Sequence, residues 1–140
     1  MFILIAFAVA MFFAINIGAS GAAASMGIAY GSGAIKRRRV ALFVSGAGVF
    51  LGGAVGGGEV IKTIGSGIVP SSILSIKLAV IILAGATFTL FISNVLGIPL
   101  STSEVTVGSV IGVGIAYQAV YFGNVIHIVL WWFLVPIIAF

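Results

Sequence analysis

An all-α polytopic membrane protein, with about four spans plus a re-entrant element, is predicted by three features of the sequence. The 140 residues are 62% apolar and only 6% charged, with a mean hydropathy of +1.41, far from the values of a soluble domain. Apolar stretches cover 1–35, 40–58, 73–96, 105–119 and 125–140, against a requirement of about 20 residues per span. Four of the six basic residues form one run, Lys36-Arg37-Arg38-Arg39, between the first two stretches. Helices follow because hydrocarbon offers the backbone no hydrogen-bond partners. The whole chain, 1–140, reads as a single transmembrane unit.

The first stretch has no Lys or Arg before it and no polar stop after it, which argues against a cleavable signal peptide and places Met1 to Ile15 in the mature fold. As one straight helix, Met1 to Ile35 would extend about 52 Å, well beyond a hydrocarbon core of about 30 Å. A broken first helix is therefore expected, with the break near Gly18 to Gly21. The run Asn16 to Ile35 is dominated by Gly, Ala and Ser, and a Gly-broken, Ser-bearing segment at membrane depth should line a polar cavity. Secondary transporters place broken helices around a substrate near the bilayer midplane, so this run is the first candidate site.

The basic run marks a cytoplasmic loop and sets the N-terminus outside, giving a multi-pass protein of the plasma membrane. In the second stretch, Gly48, Gly52 and Gly56, and likewise Gly53 and Gly57, recur at the spacing of close helix packing. Glu59 follows and can pair with Lys62 at i,i+3. Residues 65–72 read as a loop, with Pro70-Ser71-Ser72 capping a helix that opens at Ile73. The third stretch, through Ile92, is the most lipid-like. Pro99, Ser101, Thr102, Ser103 and Glu104 then resemble a helix start with hydroxyls and an acid in its first turn. The apolar residues after it, 105–119, are short for a span, and a re-entrant element is the alternative. In the last stretch His127, with Trp131 at i+4, reads as a buried or interfacial histidine bonded to backbone, and Trp131-Trp132 as an interfacial belt or packing element.

Several function classes drop out. Without Cys there is neither a disulfide nor a thiolate site. One His and two acids, unclustered, do not supply the three or four ligands of a metal centre, and no cofactor is expected. The net charge of +4 resides mainly in one loop, which removes nucleic acid as a partner. No nucleophile stands with a base in the sequence, so an enzyme is not expected.

Read in order, these residues resemble the inorganic phosphate transporter (PiT) family of secondary transporters. The family signature Gly-Ala-Asn-Asp-Val-Ala-Asn, then Gly, then Val-Gly-Ser-Gly-Ala, aligns with Gly18-Ala19-Ser20-Gly21-Ala22-Ala23-Ala24, Gly27 and Tyr30-Gly31-Ser32-Gly33-Ala34. Gly58-Glu59, Pro99 to Thr102, Val107 to Gly112 and Trp132 to Pro136 follow in the family's order. Ser20, Gly21 and Ala24 replace the signature Asn, Asp and second Asn, and Glu104 stands where phosphate members often carry His. This variant is similar to the sulfate permease branch, and the chain resembles the N-terminal repeat.

The resemblance implies one half of an inverted-repeat transporter that moves an oxyanion by alternating access. Physical chemistry supports sulfate. Phosphate at neutral pH keeps a proton to donate, whereas sulfate only accepts, so a carboxylate in the pocket repels sulfate and its loss at Gly21 removes that repulsion. The expected substrate residues are Ser20, Gly21, Ala22, Ser25, Ser101, Thr102 and Ser103, offering hydroxyls and backbone N–H groups freed at glycines and helix starts. Loss of the Asp and Asn residues favours H+ over Na+ as coupling ion, with Glu104 and then Glu59 as proton carriers; capping of its own helix is the alternative role for Glu104.

Two alternatives stand beside sulfate uptake. One is a phosphate symporter of the same family. The other is a proteolipid-type ring subunit, which would place its Glu in the middle of a long, uninterrupted helical hairpin. At 140 residues the chain supplies about one of the two repeats. The expected partners are thus the oxyanion, sulfate or a relative such as thiosulfate, the lipid bilayer, and a second repeat or an antiparallel second chain.

Overall fold

The computed structural model describes residues 2–98 and 100–140, and the described residues form five helices: α1 (Phe2–Gly31), α2 (Arg38–Ser66), α3 (Ile76–Leu96), α4 (Thr102–Ala116) and α5 (Phe122–Ala139). Met1 and the expected helix-leading Pro99 lie outside them. Four helices are long and apolar enough to span a membrane, and α4, at 15 residues, is the short fifth element.

The expected break in the first helix does not occur. α1 is continuous for 30 residues, about 45 Å at ~1.5 Å per residue. A glycine inside a helix costs only about 1 kcal/mol relative to Ala, far less than proline, and α1 contains no proline. Two of its polar side chains also return their donors to the helix: Asn16 Nδ2 donates to the Phe12 carbonyl at 2.9 Å and Ser20 Oγ to the Asn16 carbonyl at 3.2 Å. The backbone N–H groups expected to be freed at Gly18 and Gly21 are therefore held in the helical ladder.

α2 is longer than its apolar stretch, running through Gly56-Gly57-Gly58 and Glu59 to Ser66. α3 opens at Ile76, three residues after the expected position. Residues 70–74 instead form turns, with Ile73 N–H on the Pro70 carbonyl and Leu74 N–H on the Ser71 carbonyl, and Ser75 caps the helix by accepting from Leu78 N–H at 3.3 Å. The reason is packing: Ile73 and Leu74 turn into the core, beside buried Ile68, Val69, Ile82, Val107 and Val110.

Three contacts fix how the helices run. Lys77 Nζ lies 5.3 Å from the centre of the Phe2 ring, Phe12 and Phe91 stack at 5.5 Å, and Asn94 bonds Asn16. Hence α1 and α3 are parallel, and α3 ends beside the middle of α1. Gly97, at φ 68°, turns the chain there, with Ile98 N–H on the Ser93 carbonyl; this left-handed position suits glycine. α4 then runs back along α3, with Ser109 Oγ near Gly85 and Gly114 against Val69. A second such turn closes α4, where Ala119 N–H reaches the Gly114 carbonyl at 2.9 Å and the left-handed position is held by Gln118, φ 52°. Tyr121 N–H on the Ile68 carbonyl and Asn124 Nδ2 on the Gly67 carbonyl, at 2.9 and 2.7 Å, fasten the start of α5 to the α2–α3 connection. α3 and α4 thus form a hairpin whose turn lies at mid-α1 depth and whose two outer ends lie together.

Candidate functional site

α2 packs antiparallel on α1, and small side chains leave space along their contact. One cavity, about 530 Å³, is lined by Gly18, Gly21, Ala22 and Ser25 of α1 and by Leu42, Ser45 and Gly46 of α2. Ser25 Oγ and Ser45 Oγ meet there at 3.1 Å. Ser45 is buried and faces its partner on the neighbouring helix, the kind of interhelical hydroxyl contact that joins membrane helices. One hydroxyl proton joins the pair. Among the described residues, the only other acceptor within reach of Ser25 is the Ala22 carbonyl at 3.4 Å, at the long end for O–H···O. The second proton can therefore turn to an anion in the cavity at small cost.

Of the sequence-predicted residues, Gly21, Ala22 and Ser25 line this cavity. Ser20 lies one turn from Asn16 and directs its hydroxyl to the Asn16 and Ile17 carbonyls. Ser101, Thr102, Ser103 and Glu104 form the expected start of α4, where Ser101 Oγ accepts from Glu104 N–H at 3.4 Å, so that the cap is Ser101 and not the Glu104 carboxylate. They do not line the α1–α2 cavity, because α4 packs on α3. The Asn94–Asn16 contact nevertheless brings the end of α3, and so the turn leading to Ser101, to the depth of Ser20 on α1.

Glu59 pairs with Lys62 at 2.8 Å on an exposed helix face, 82% and 73% exposed, the interface pairing expected at i,i+3. His127 bonds a side chain rather than backbone, its Nε2 accepting from Trp131 Nε1 at 3.1 Å. Trp132 packs against the core, while Trp131 is exposed. The α2 glycines have no contact of the kind their spacing suggests: a Cβ at Gly48, Gly52, Gly53, Gly56 or Gly57 would meet nothing within 4 Å.

Three polar residues emerge only with the fold. Asn94 Nδ2 donates to both the carbonyl and Oδ1 of Asn16, at 3.2 and 3.1 Å, and Asn16 is 4% exposed. Ser45 is the third. Their signal in the sequence is a polar side chain inside a long, mostly apolar helix, where burial against a partner is the rule.

The model of the phosphate transporter family matches residues 17–140, and the chain belongs to that family. It is 57% identical over 130 residues to the sulfate permease CysP of Bacillus subtilis, covering 93% of this chain and 37% of that protein. Two proteins each named "putative phosphate permease" are also similar. That of Pyrococcus furiosus is 38% identical, covering 87% of this chain and 31% of its own, and that of Haemophilus influenzae is 33% identical, covering 91% and 32%. The chain thus spans about a third of the length of these relatives. No solved structure matches it. With its family and four apolar spans it is a multi-pass membrane protein. The family also removes the ring-subunit alternative, which the helices alone would not, since Glu59 lies inside a long, uninterrupted helix.

Proposed function

We propose that the chain is one repeat of a secondary active transporter that takes up sulfate by alternating access, coupled to protons. The observation that carries this reading is the α1–α2 cavity, which offers hydroxyls of Ser25 and Ser45 and has neither Glu59 nor Glu104 in its wall. A dianion that only accepts hydrogen bonds gains from O–H donors and suffers from a fixed carboxylate. The similarity to the Bacillus subtilis sulfate permease supports the same substrate.

Glu104 is the proposed proton carrier. It stands exposed in the first turn of α4, at the end of the half-depth hairpin turn, close in depth to Ser20. Glu59, already paired with Lys62, is the weaker choice. A second repeat, from the same polypeptide or an antiparallel second chain, would complete the path, as inverted repeats do in secondary transporters.

The test is labelled sulfate uptake by the full-length protein in cells deficient in sulfate transport, with and without a proton gradient. Uptake is expected to depend on the gradient, to resist excess phosphate and to be lost in Glu104→Gln. Inhibition by equimolar phosphate would assign the site to phosphate, and gradient-driven uptake intact in Glu104→Gln would remove that residue from coupling.

A further inference from the structure

A second cavity, about 490 Å³, lies on the other flank of the α1–α2 contact, lined by Gly18, Ala19, Ala22, Met26, Gly27, Tyr30, Arg38, Ala41 and Leu42. It shares Gly18, Ala22 and Leu42 with the Ser25–Ser45 cavity, so the two spaces are separated by little more than two of the smallest side chains and one leucine.

Arg38 is the only one of the four clustered basic residues in its wall. Lys36, Arg37 and Arg39 are accounted for by topology alone, since a loop charge has no need of a cavity. Arg38 also carries an uncompensated charge: the single ion pair among the described residues is Lys62–Glu59. The guanidinium offers a planar fork of donors suited to two oxygens of a tetrahedral oxyanion, and Tyr30 adds a hydroxyl to the same wall.

We propose that Arg38, with Tyr30, forms a second oxyanion station beside the Ser25–Ser45 cavity, holding the dianion as it passes between that cavity and the solvent at the Lys36–Arg39 end. This rests on the sulfate reading of the first cavity. The station takes a tetrahedral dianion, and the charge of Arg38 supplies the electrostatic attraction that the neutral hydroxyls of the first cavity lack. Arg38 is thereby a binding residue and not only a topological one.

The experiment measures the half-saturating sulfate concentration of the full-length transporter for Arg38→Gln, Arg38→Lys, Tyr30→Phe, Arg37→Gln and Arg39→Gln. In a full-length background in which any Cys outside these 140 residues is replaced by Ser, a lone Ser32→Cys reports by its labelling which side of the membrane the loop occupies. Arg38→Gln is expected to raise the half-saturating concentration about tenfold or more, the scale of a lost charge-assisted hydrogen bond. Tyr30→Phe is expected to raise it about threefold and Arg37→Gln and Arg39→Gln less than twofold, all with the labelling side unchanged. Should Arg38→Gln fail to reach the membrane, Arg38→Lys is read instead, with a rise of about threefold for loss of the fork. Equal effects at all three arginines, a reversed labelling side in Arg38→Gln, or an unaltered half-saturation in whichever Arg38 variant is read would overturn the station. If the parent protein takes up no sulfate, the first-cavity reading fails and this one with it; normal parent uptake with a silent Arg38 removes the station alone.

Discussion

Removing either amide of the Asn16–Asn94 pair should unfasten α1 from α3, and the cost can be worked from the contact itself. Asn94 Nδ2 donates twice, at 3.1 and 3.2 Å, to one residue that is 4% exposed. Side-chain hydrogen bonds between membrane helices average about 0.6 kcal/mol in double-mutant cycles and reach about 1.7. Asn16→Ala removes the Oδ1 acceptor and leaves the backbone carbonyl in place, so the cycle reads one side-chain bond and a coupling energy of about 0.6 to 1 kcal/mol is expected. The measurement is a cycle of Asn16→Ala, Asn94→Ala and the double variant in the full-length protein, unfolded with SDS in mixed micelles. The double variant should be less unstable than the sum of the singles by that coupling. A coupling below about 0.3 kcal/mol, within ordinary additivity, would refute the contact as a source of α1–α3 adhesion and with it the placement of the α3–α4 turn beside mid-α1.

Gly114→Ala is expected to destabilise the protein by about 1 to 3 kcal/mol, because a Cβ there would lie 2.7 Å from both Val69 Cγ1 and Val120 Cγ2; SDS titration of the variant checks it. Gln118→Gly should stabilise by about 1 kcal/mol, relieving a left-handed backbone at φ 52°, read as a raised SDS midpoint in the same assay. Glu59→Gln should shift stability by less than about 0.5 kcal/mol, since exposed ion pairs contribute little and this one is largely in the open; a larger loss would give Glu59 a contact outside this repeat. Ser45→Ala should raise the half-saturating sulfate concentration about fivefold, and Ser25→Ala added to it should cost less than it does alone, because the two hydroxyls share one bond.

The helical architecture was legible because apolar length and charge placement report directly on the bilayer. Four long helices and one short one follow from those two properties, and the cap at Ser101 from its hydroxyl before Thr102-Ser103-Glu104. The continuity of α1 was not legible from glycine content, because the helical ladder outweighs a few glycines when no proline interrupts it and Asn16 and Ser20 return their donors to the same helix. The start of α3 was misplaced since Ser72 and Ser75 are equally good caps locally, and only the burial demanded by Ile73 and Leu74 selects the second. Within the candidate site, Gly21, Ala22 and Ser25 were legible from composition. Ser45 was not, as its meaning arises from the register of a helix 20 residues away.

The half-depth turn between α3 and α4 also bears on how the chain enters the membrane. A 15-residue helix is too short to be accepted alone as a span, and sending a charged first turn across the hydrocarbon would cost several kcal/mol, about 2.5 to 3.5 for an acidic side chain at the centre. Inserted together with α3 as a folded-back pair, α4 need not be accepted alone, and Glu104 stops at the half-depth tip of the pair instead of crossing the whole hydrocarbon core, while both outer ends stay on the side where residues 67–74 and Tyr121 meet. Translocation machinery would then handle 76–116 as one unit, which docks on α1 through the Asn94–Asn16 contact.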